Sequence, residues 1–153
     1  MLLPRLKRWL QSLLQKLFRK PSEINQKQQD ARLEKEKTKT AATYRVENAE
    51  NLPLDNNSFD IATIMFALHE IPIAARERIT HEAHRILKPQ GALVILDIDP
   101  TYKPPKSMLA GEPYIHEYRH NIDRQLAVFP GFSSLHRNVV VPGHVISWIL
   151  TKS

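Results

Sequence analysis

The stretch from Phe59 to Asp99 limits the fold more than any other part of this chain. "FDIATIMFALH" (Phe59–His69) is an almost unbroken apolar run, the pattern of a strand covered on both faces. Residues 74–87 then have helical spacing, with Ile79, Ala83, Ile86 and Leu87 on one side. "ALVILDID" (Ala92–Asp99) is a second buried strand. Strand, helix and strand in this succession predict a parallel pair joined by a crossover helix. Around them, "TYRVEN" (Thr43–Asn48) reads as a short strand and "NLPLDNNSF" as a loop built on turn-forming residues. Pro100 to Pro113 holds four prolines and is expected to be largely irregular. Tyr114 to Phe129 reads as a helix broken by Pro130-Gly131, and "SSLHRNVVV" and "HVISWILTKS" as two closing strands. The expected class is α/β, with a mostly parallel sheet and helices across its faces.

The first 43 residues are of another kind. Eleven of the 22 Lys and Arg residues lie there against four acids, whereas Tyr44–Ser153 carries eleven against twelve. The net charge of +6 therefore belongs to the N-terminal segment, and a nucleic-acid surface over the remainder is not expected. Within residues 1–20, Leu2, Leu3, Leu6, Trp9, Leu10, Leu13, Leu14, Leu17 and Phe18 gather on one helical stripe, with Arg5, Arg8, Lys16 and Arg19 opposite and Lys7 near the boundary. Such a helix can lie on an anionic membrane surface, or pack on protein; periodicity does not separate the two. An organelle-targeting presequence fits less well, because serine is scarce. Basic residues interrupt every apolar run, so neither a membrane span nor a signal peptide is expected. Residues 21–43 read as a polar helix or linker with few apolar anchors. The expected location is cytoplasmic, with peripheral membrane contact through residues 1–20. The absence of cysteine excludes disulfides, thiolate metal sites and a Cys nucleophile.

Three motifs occur in order after Thr43: Asn48-Ala49-Glu50-Asn51-Leu52-Pro53, then Ser58-Phe59-Asp60, then Arg85-Ile86-Leu87-Lys88-Pro89-Gln90-Gly91. Together they resemble class I S-adenosylmethionine-dependent methyltransferases. The resemblance covers about Tyr44 to Lys152 and is strongest to the type 11 subgroup, which includes ubiquinone and menaquinone biosynthesis enzymes. It implies S-adenosylmethionine as cofactor, a small or lipophilic methyl acceptor, and residues 44–153 as a partial methyltransferase domain. By the same resemblance, Asn48 stands where an acid usually accepts a hydrogen bond from the adenine amino group; its side-chain oxygen can still accept. Ala49 would offer its backbone N–H to the adenine ring. Phe66, Leu68 and His69 would lie at the strand end over the cofactor. The reading of these residues as plain structure stays open: Phe66 and Leu68 as core, His69 as a cap on the strand end. The family favours Gly where Gln90 stands.

The family's glycine-rich turn, whose N–H groups hold the methionine end of the cofactor, has no counterpart in Met1–Thr43; the first glycine of the chain is Gly91. The expected fold is thus a Rossmann-like methyltransferase sheet, N-terminally incomplete, behind an amphipathic helical leader. A strand exposed at the sheet edge invites self-association. The rival functional reading is a non-catalytic remnant or interaction module that docks through its basic helix.

Other signals are weaker. His116-Glu117-Tyr118-Arg119-His120 matches H-E-x-x-H, but no third ligand follows at a recognised spacing, and no metal site is expected. Asp97 and Asp99 end a buried strand, where ligands bind in α/β folds. The alternative, preferred for both, is that they bind the backbone of the proline-rich loop. His81 and His84 read as a solvated face. No catalytic residue is assigned, because methyl transfer depends mainly on positioning.

Overall fold

The computed structural model describes residues 43–153 apart from Ala110. The expectations over residues 1–20 and 21–42 lie outside the described residues. Among the described residues, no helix is long and apolar enough to cross a membrane.

The elements are β1 (Phe59–Met65), a single 3-10 turn (Leu68–Glu70), α1 (Ile73–Ile86), β2 (Leu87–Ile98), the short α2 (Lys106–Leu109), α3 (Ile115–Ala127), β3 (Phe132–Val141) and β4 (Val145–Lys152). Among the described residues, four strands form one sheet in the order β1-β2-β4-β3. β1 and β2 are parallel, joined by α1 as expected. The other two pairings differ from the mostly parallel expectation: β2 with β4 and β3 with β4 are both antiparallel. The short connection at Pro142-Gly143-His144 leaves β3 and β4 no other option, because a parallel return needs a crossover of a dozen residues or more. Gly143 supplies the positive φ of 68° that the turn requires.

β2 and β4 are the buried centre. Leu93, Ile95, Ile146, Trp148 and Leu150 face Ala83 of α1 and Ile115, Tyr118, Ile122 and Leu126 of α3 in one cluster. Val94, Leu96 and Ile149, which point the other way, are also buried. Burial on both faces is why this stretch of β2 is continuously apolar rather than alternating. β1 departs from the same expectation. Its Phe59 and Met65 are exposed, and it lies at the edge of the sheet formed by the described residues. Thr43–Glu47 forms no strand: Tyr44 and Val46 are almost fully exposed, and no neighbouring strand among the described residues offers them a hydrogen-bonding ladder.

The loop before β1 is fastened to α1 by charge. Glu82 accepts hydrogen bonds from the Leu52 amide (2.6 Å) and from Arg85 (2.6 Å), and Arg85 donates to the carbonyls of Leu52 and Leu54. Arg85 and the Leu52 amide together hold the Glu82 carboxyl below the usual range, against the effect of burial. At the same C-terminal end of α1, the Lys152 ammonium donates to His84 O and Leu87 O, filling carbonyls that the helix leaves open.

The Lys88-Pro89-Gln90-Gly91 segment belongs to the irregular first half of β2. A Cβ on Gly91 would lie 2.8 Å from the Lys88 carbonyl oxygen and 3.1 Å from that of Asp60, so only glycine lets β2 approach β1 here. Gln90 has φ +64°, the left-handed conformation that glycine adopts most readily.

Candidate functional site at the strand ends

β1 and β2 end side by side, and the crevice beyond the carboxyl ends of parallel strands is where α/β folds place their ligands. The chain leaves β1 through Phe66, whose φ of 49° is left-handed and whose amide donates to Leu96 O at 2.8 Å. That sharp exit turns Leu68 and His69 back toward β2. Leu68 is buried in the core cluster, and Phe66 is exposed.

Asp97, fully buried near the end of β2, receives this segment. One carboxylate oxygen accepts the Leu68 amide at 2.9 Å; the other accepts the Ile98 amide at 2.7 Å and lies 2.5 Å from His69 Nδ1. A carboxylate only accepts, so Nδ1 carries a proton and the lone pair of a neutral ring falls on Nε2. Nε2 faces two further carboxylates, Glu70 and Glu112, each at 3.8 Å. Burial works against a charge on His69, but the hydrogen bond and charge of Asp97, joined by Glu112 and Glu70, outweigh it and raise the pKa. Tyr118 of α3 packs edge-on against the ring at 6.1 Å and donates its hydroxyl to Ile98 O at 2.6 Å. Burial pushes that phenol strongly upward, so it stays neutral.

Arg76, 1% exposed, braces the turn from behind. Its guanidinium donates to the carbonyls of Leu68 (3.2 Å) and Ile71 (2.6 Å), to Glu117 (2.6 Å) and to Gln125 (3.1 Å). Glu117 also accepts the Ile73 amide at 2.8 Å, one of the open donors of the first turn of α1. The glutamate of the H-E-x-x-H match thus joins two helices, while His116 and His120 are exposed and Nδ1 of His120 bonds His116 O.

Asn48 and Ala49 belong to an exposed turn ahead of β1. The Asn48 side-chain oxygen accepts the Glu50 amide at 3.0 Å, and Glu50 pairs with Arg78 of α1. Ala49 borders an open, mostly apolar cleft of about 290 Å3 shared with Leu52, Ile61, Ile79 and Ile86. Of the five residues singled out from the sequence, Phe66, Leu68 and His69 therefore share the strand-end site, Ala49 borders this separate cleft, and Asn48 precedes it in the exposed turn.

The two aspartates behave differently. Asp99 accepts the amide and hydroxyl of Thr101 at 2.8 and 2.7 Å, organising the start of the proline-rich loop as expected. For Asp97 that expectation is corrected: its carboxylate serves Leu68 and His69. The signal available for the pair was positional, since both residues end an apolar run. Glu112 and Arg76 carried no signal, because nothing in a sequence marks a charged residue that tertiary packing will bury. His81 and His84 are not simply solvated; they pack on the rings of Phe129 and Phe132.

A family model described as a methyltransferase domain matches residues 12–95, more than half of the sequence. The chain belongs to the methyltransferase domain family. The match begins within the basic segment and ends inside β2. Among curated relatives, a demethylmenaquinone methyltransferase of Staphylococcus epidermidis is 42% identical over 71 residues, which is 42% of this chain and 28% of that enzyme. A ubiquinone/menaquinone biosynthesis C-methyltransferase of Rickettsia prowazekii is 44% identical over 54 residues, 35% of this chain and 21% of that enzyme. The matched segments thus span less than a third of these relatives. Among solved structures, a protein from Pyrococcus horikoshii superposes with TM-score 0.57 at 12% identity, covering 82% of this chain and 66% of that one. A SAM-dependent methyltransferase from Aquifex aeolicus does so with TM-score 0.55 at 18% identity, covering 80% and 61%. At such identities the methyltransferase likeness of these structures concerns the fold alone.

The residues present fit one side of the implied cofactor. Asn48 keeps a second lone pair on its side-chain oxygen, Ala49 is exposed, and the cleft beside it has room for a planar heterocycle. No glycine-rich turn precedes Gly91 to cradle a carboxylate.

Proposed function

We propose that this methyltransferase domain binds S-adenosylmethionine and transfers its methyl group to a small, lipophilic acceptor of the quinone class. The observation that carries the reading is the strand-end site itself: a buried, oriented histidine at the carboxyl ends of the parallel pair β1 and β2, in a chain of this family. The two quinone-biosynthesis relatives favour the acceptor class. Bound cofactor supplies an electrophilic methyl on a sulfonium. The chain's own contribution is to accept the adenine amino group at Asn48, contact the ring at Ala49, and hold donor and acceptor in line beside Phe66 and His69. No observation favours the non-catalytic module. Isothermal titration of the full chain with S-adenosylhomocysteine is expected to show micromolar binding. Folded protein that takes up no ligand would leave family membership intact and remove the activity.

Two further parts of the reading concern surfaces. Residues 1–20 are proposed to contact an anionic membrane, which would bring a lipophilic acceptor within reach. β1, with Phe59, Met65 and Phe66 exposed at the sheet edge, is proposed to pair with a second copy. Light scattering is expected to give a mass above that of one chain, falling when Ile61→Pro blocks the edge. A monomer at all concentrations would refute the pairing.

A further inference from the structure

The His69 ring and the Glu112 carboxylate meet with unfilled positions facing each other. Glu112 Oε2 is buried and has no hydrogen-bond partner among the described residues. It stands 3.8 Å from His69 Nε2, too far for a direct bond. Asp97 holds the proton of a neutral ring on the other nitrogen. Two acceptor atoms, a lone pair and a carboxylate oxygen, therefore share one gap with no donor between them. An unfilled buried acceptor is costly, so the gap selects a ligand that brings a hydrogen-bond donor. The remaining surroundings are Glu70 from the same turn, the neutral Tyr118 ring from α3, and Arg76 of α1 behind the Leu68 carbonyl. His69 itself is only 5% exposed, whereas the Glu112 side chain is 28% exposed, so the way to Nε2 passes Glu112.

We propose that His69 Nε2 is the proton acceptor of the methyl-transfer step, that Asp97 positions it, and that the acceptor bears an ionisable hydroxyl of the phenol or hydroquinone class that docks between His69 and Glu112. This rests on the methyltransferase reading above. The hydroxyl O–H bond breaks and an N–H bond forms at Nε2. The freed electron pair attacks the methyl carbon through oxygen, or through a conjugated ring carbon; in the second case the ring C–H proton passes to water as aromaticity returns, and the oxygen takes its proton back from Nε2. The carbon–sulfur bond breaks, and its pair stays on sulfur as a neutral thioether. The imidazolium that results lies between the Asp97 and Glu112 carboxylates, which favour its charge. His69 must be neutral to act, so turnover is expected to fall as pH drops through its raised pKa, and that limb should move to lower pH when Glu112 loses its charge.

The test uses the full chain with S-adenosylhomocysteine, 15N-labelled histidine, and 1,4-dihydroxynaphthalene as probe. The probe is expected to shift the His69 Nε2 resonance, and 1,4-dimethoxynaphthalene, which has no hydroxyl, to leave it in place. With reduced demethylmenaquinone and S-adenosylmethionine, His69→Gln is expected to lower kcat by about 100-fold or more, while S-adenosylhomocysteine affinity stays within about twofold and KM within about threefold. Asp97→Asn and the more exposed Glu112→Gln are expected to move the acidic limb of the pH profile downward. Equal shifts from both naphthalenes, or a His69→Gln kcat within about threefold of the parent, overturn the role of His69 alone. Failure of the parent chain to bind S-adenosylhomocysteine overturns the methyltransferase reading and this step with it.

Discussion

Replacing Arg76 with methionine is expected to cost about 3–5 kcal/mol of folding stability, the range for breaking one side of a buried ion pair. The side chain is 1% exposed and joins three segments: the Leu68–Ile71 turn, the start of α1, and α3 through Glu117 and Gln125. Its removal strands the two carbonyls and leaves the partly exposed Glu117 without its cation. Burial lowers the pKa of Arg76 while Glu117 raises it, yet a guanidinium stays charged. Glu117→Gln keeps an acceptor oxygen for Arg76 and for the Ile73 amide but leaves the buried guanidinium without a counter-charge, so it too should destabilise. The double variant Arg76→Met/Glu117→Gln should then be less destabilised than the sum of the singles, because no buried charge is left unpaired. Urea denaturation of the four proteins reads this directly. A cost for Arg76→Met under about 1 kcal/mol, the size of an exposed pair, would mean that Arg76 is far more hydrated than its burial indicates.

Trp148→Ala is expected to destabilise by a similar amount, about 3–5 kcal/mol, through a different term. Trp148 is fully buried on β4, paired with Ile95 of β2 on one side and Arg137 of β3 on the other. It is the largest fully buried side chain among the described residues, and its loss leaves a void that the two flanking strands cannot close without losing register. The indole N–H donates to Asp123 at 2.8 Å, and the same oxygen accepts Arg137 Nε at 3.0 Å. Trp148→Phe keeps most of the volume and loses only that bond, so it should cost about 1–2 kcal/mol. Thermal unfolding of both variants checks the order; equal losses would show that the hydrogen bond, not the packing, dominates.

The legible parts of the fold were those whose pattern is local. Residues 74–87 announced α1 by helical spacing, and β2 was readable because burial on both faces leaves an unbroken apolar run. The pairing directions were not legible in the same way. The antiparallel β4 between β2 and β3 depends on which strand fills the centre, a choice made by packing among elements far apart in sequence. Val46 and Tyr44 have strand-forming side chains, yet without a neighbouring strand they are left in solvent. At the site, His69 could be reached from motif order, because a strand end next to a cofactor is a position the family uses. Its partner Asp97 was assigned elsewhere, since a carboxylate at a strand end can bind a loop or a side chain with equal ease, and only the left-handed exit at Phe66 decides which one arrives.

The strand order has a consequence for when the domain can form. β4 is translated after every other element described here, yet it lies between β2 and β3. Its Lys152 also supplies two of the donors at the end of α1. While the chain is still emerging from the ribosome, β1, α1 and β2 can associate, but the inner edge of β2 and the apolar face of α3 have no cover. The nascent domain must therefore be shielded, by the ribosome surface or by a chaperone, until β4 is released and slots into the gap.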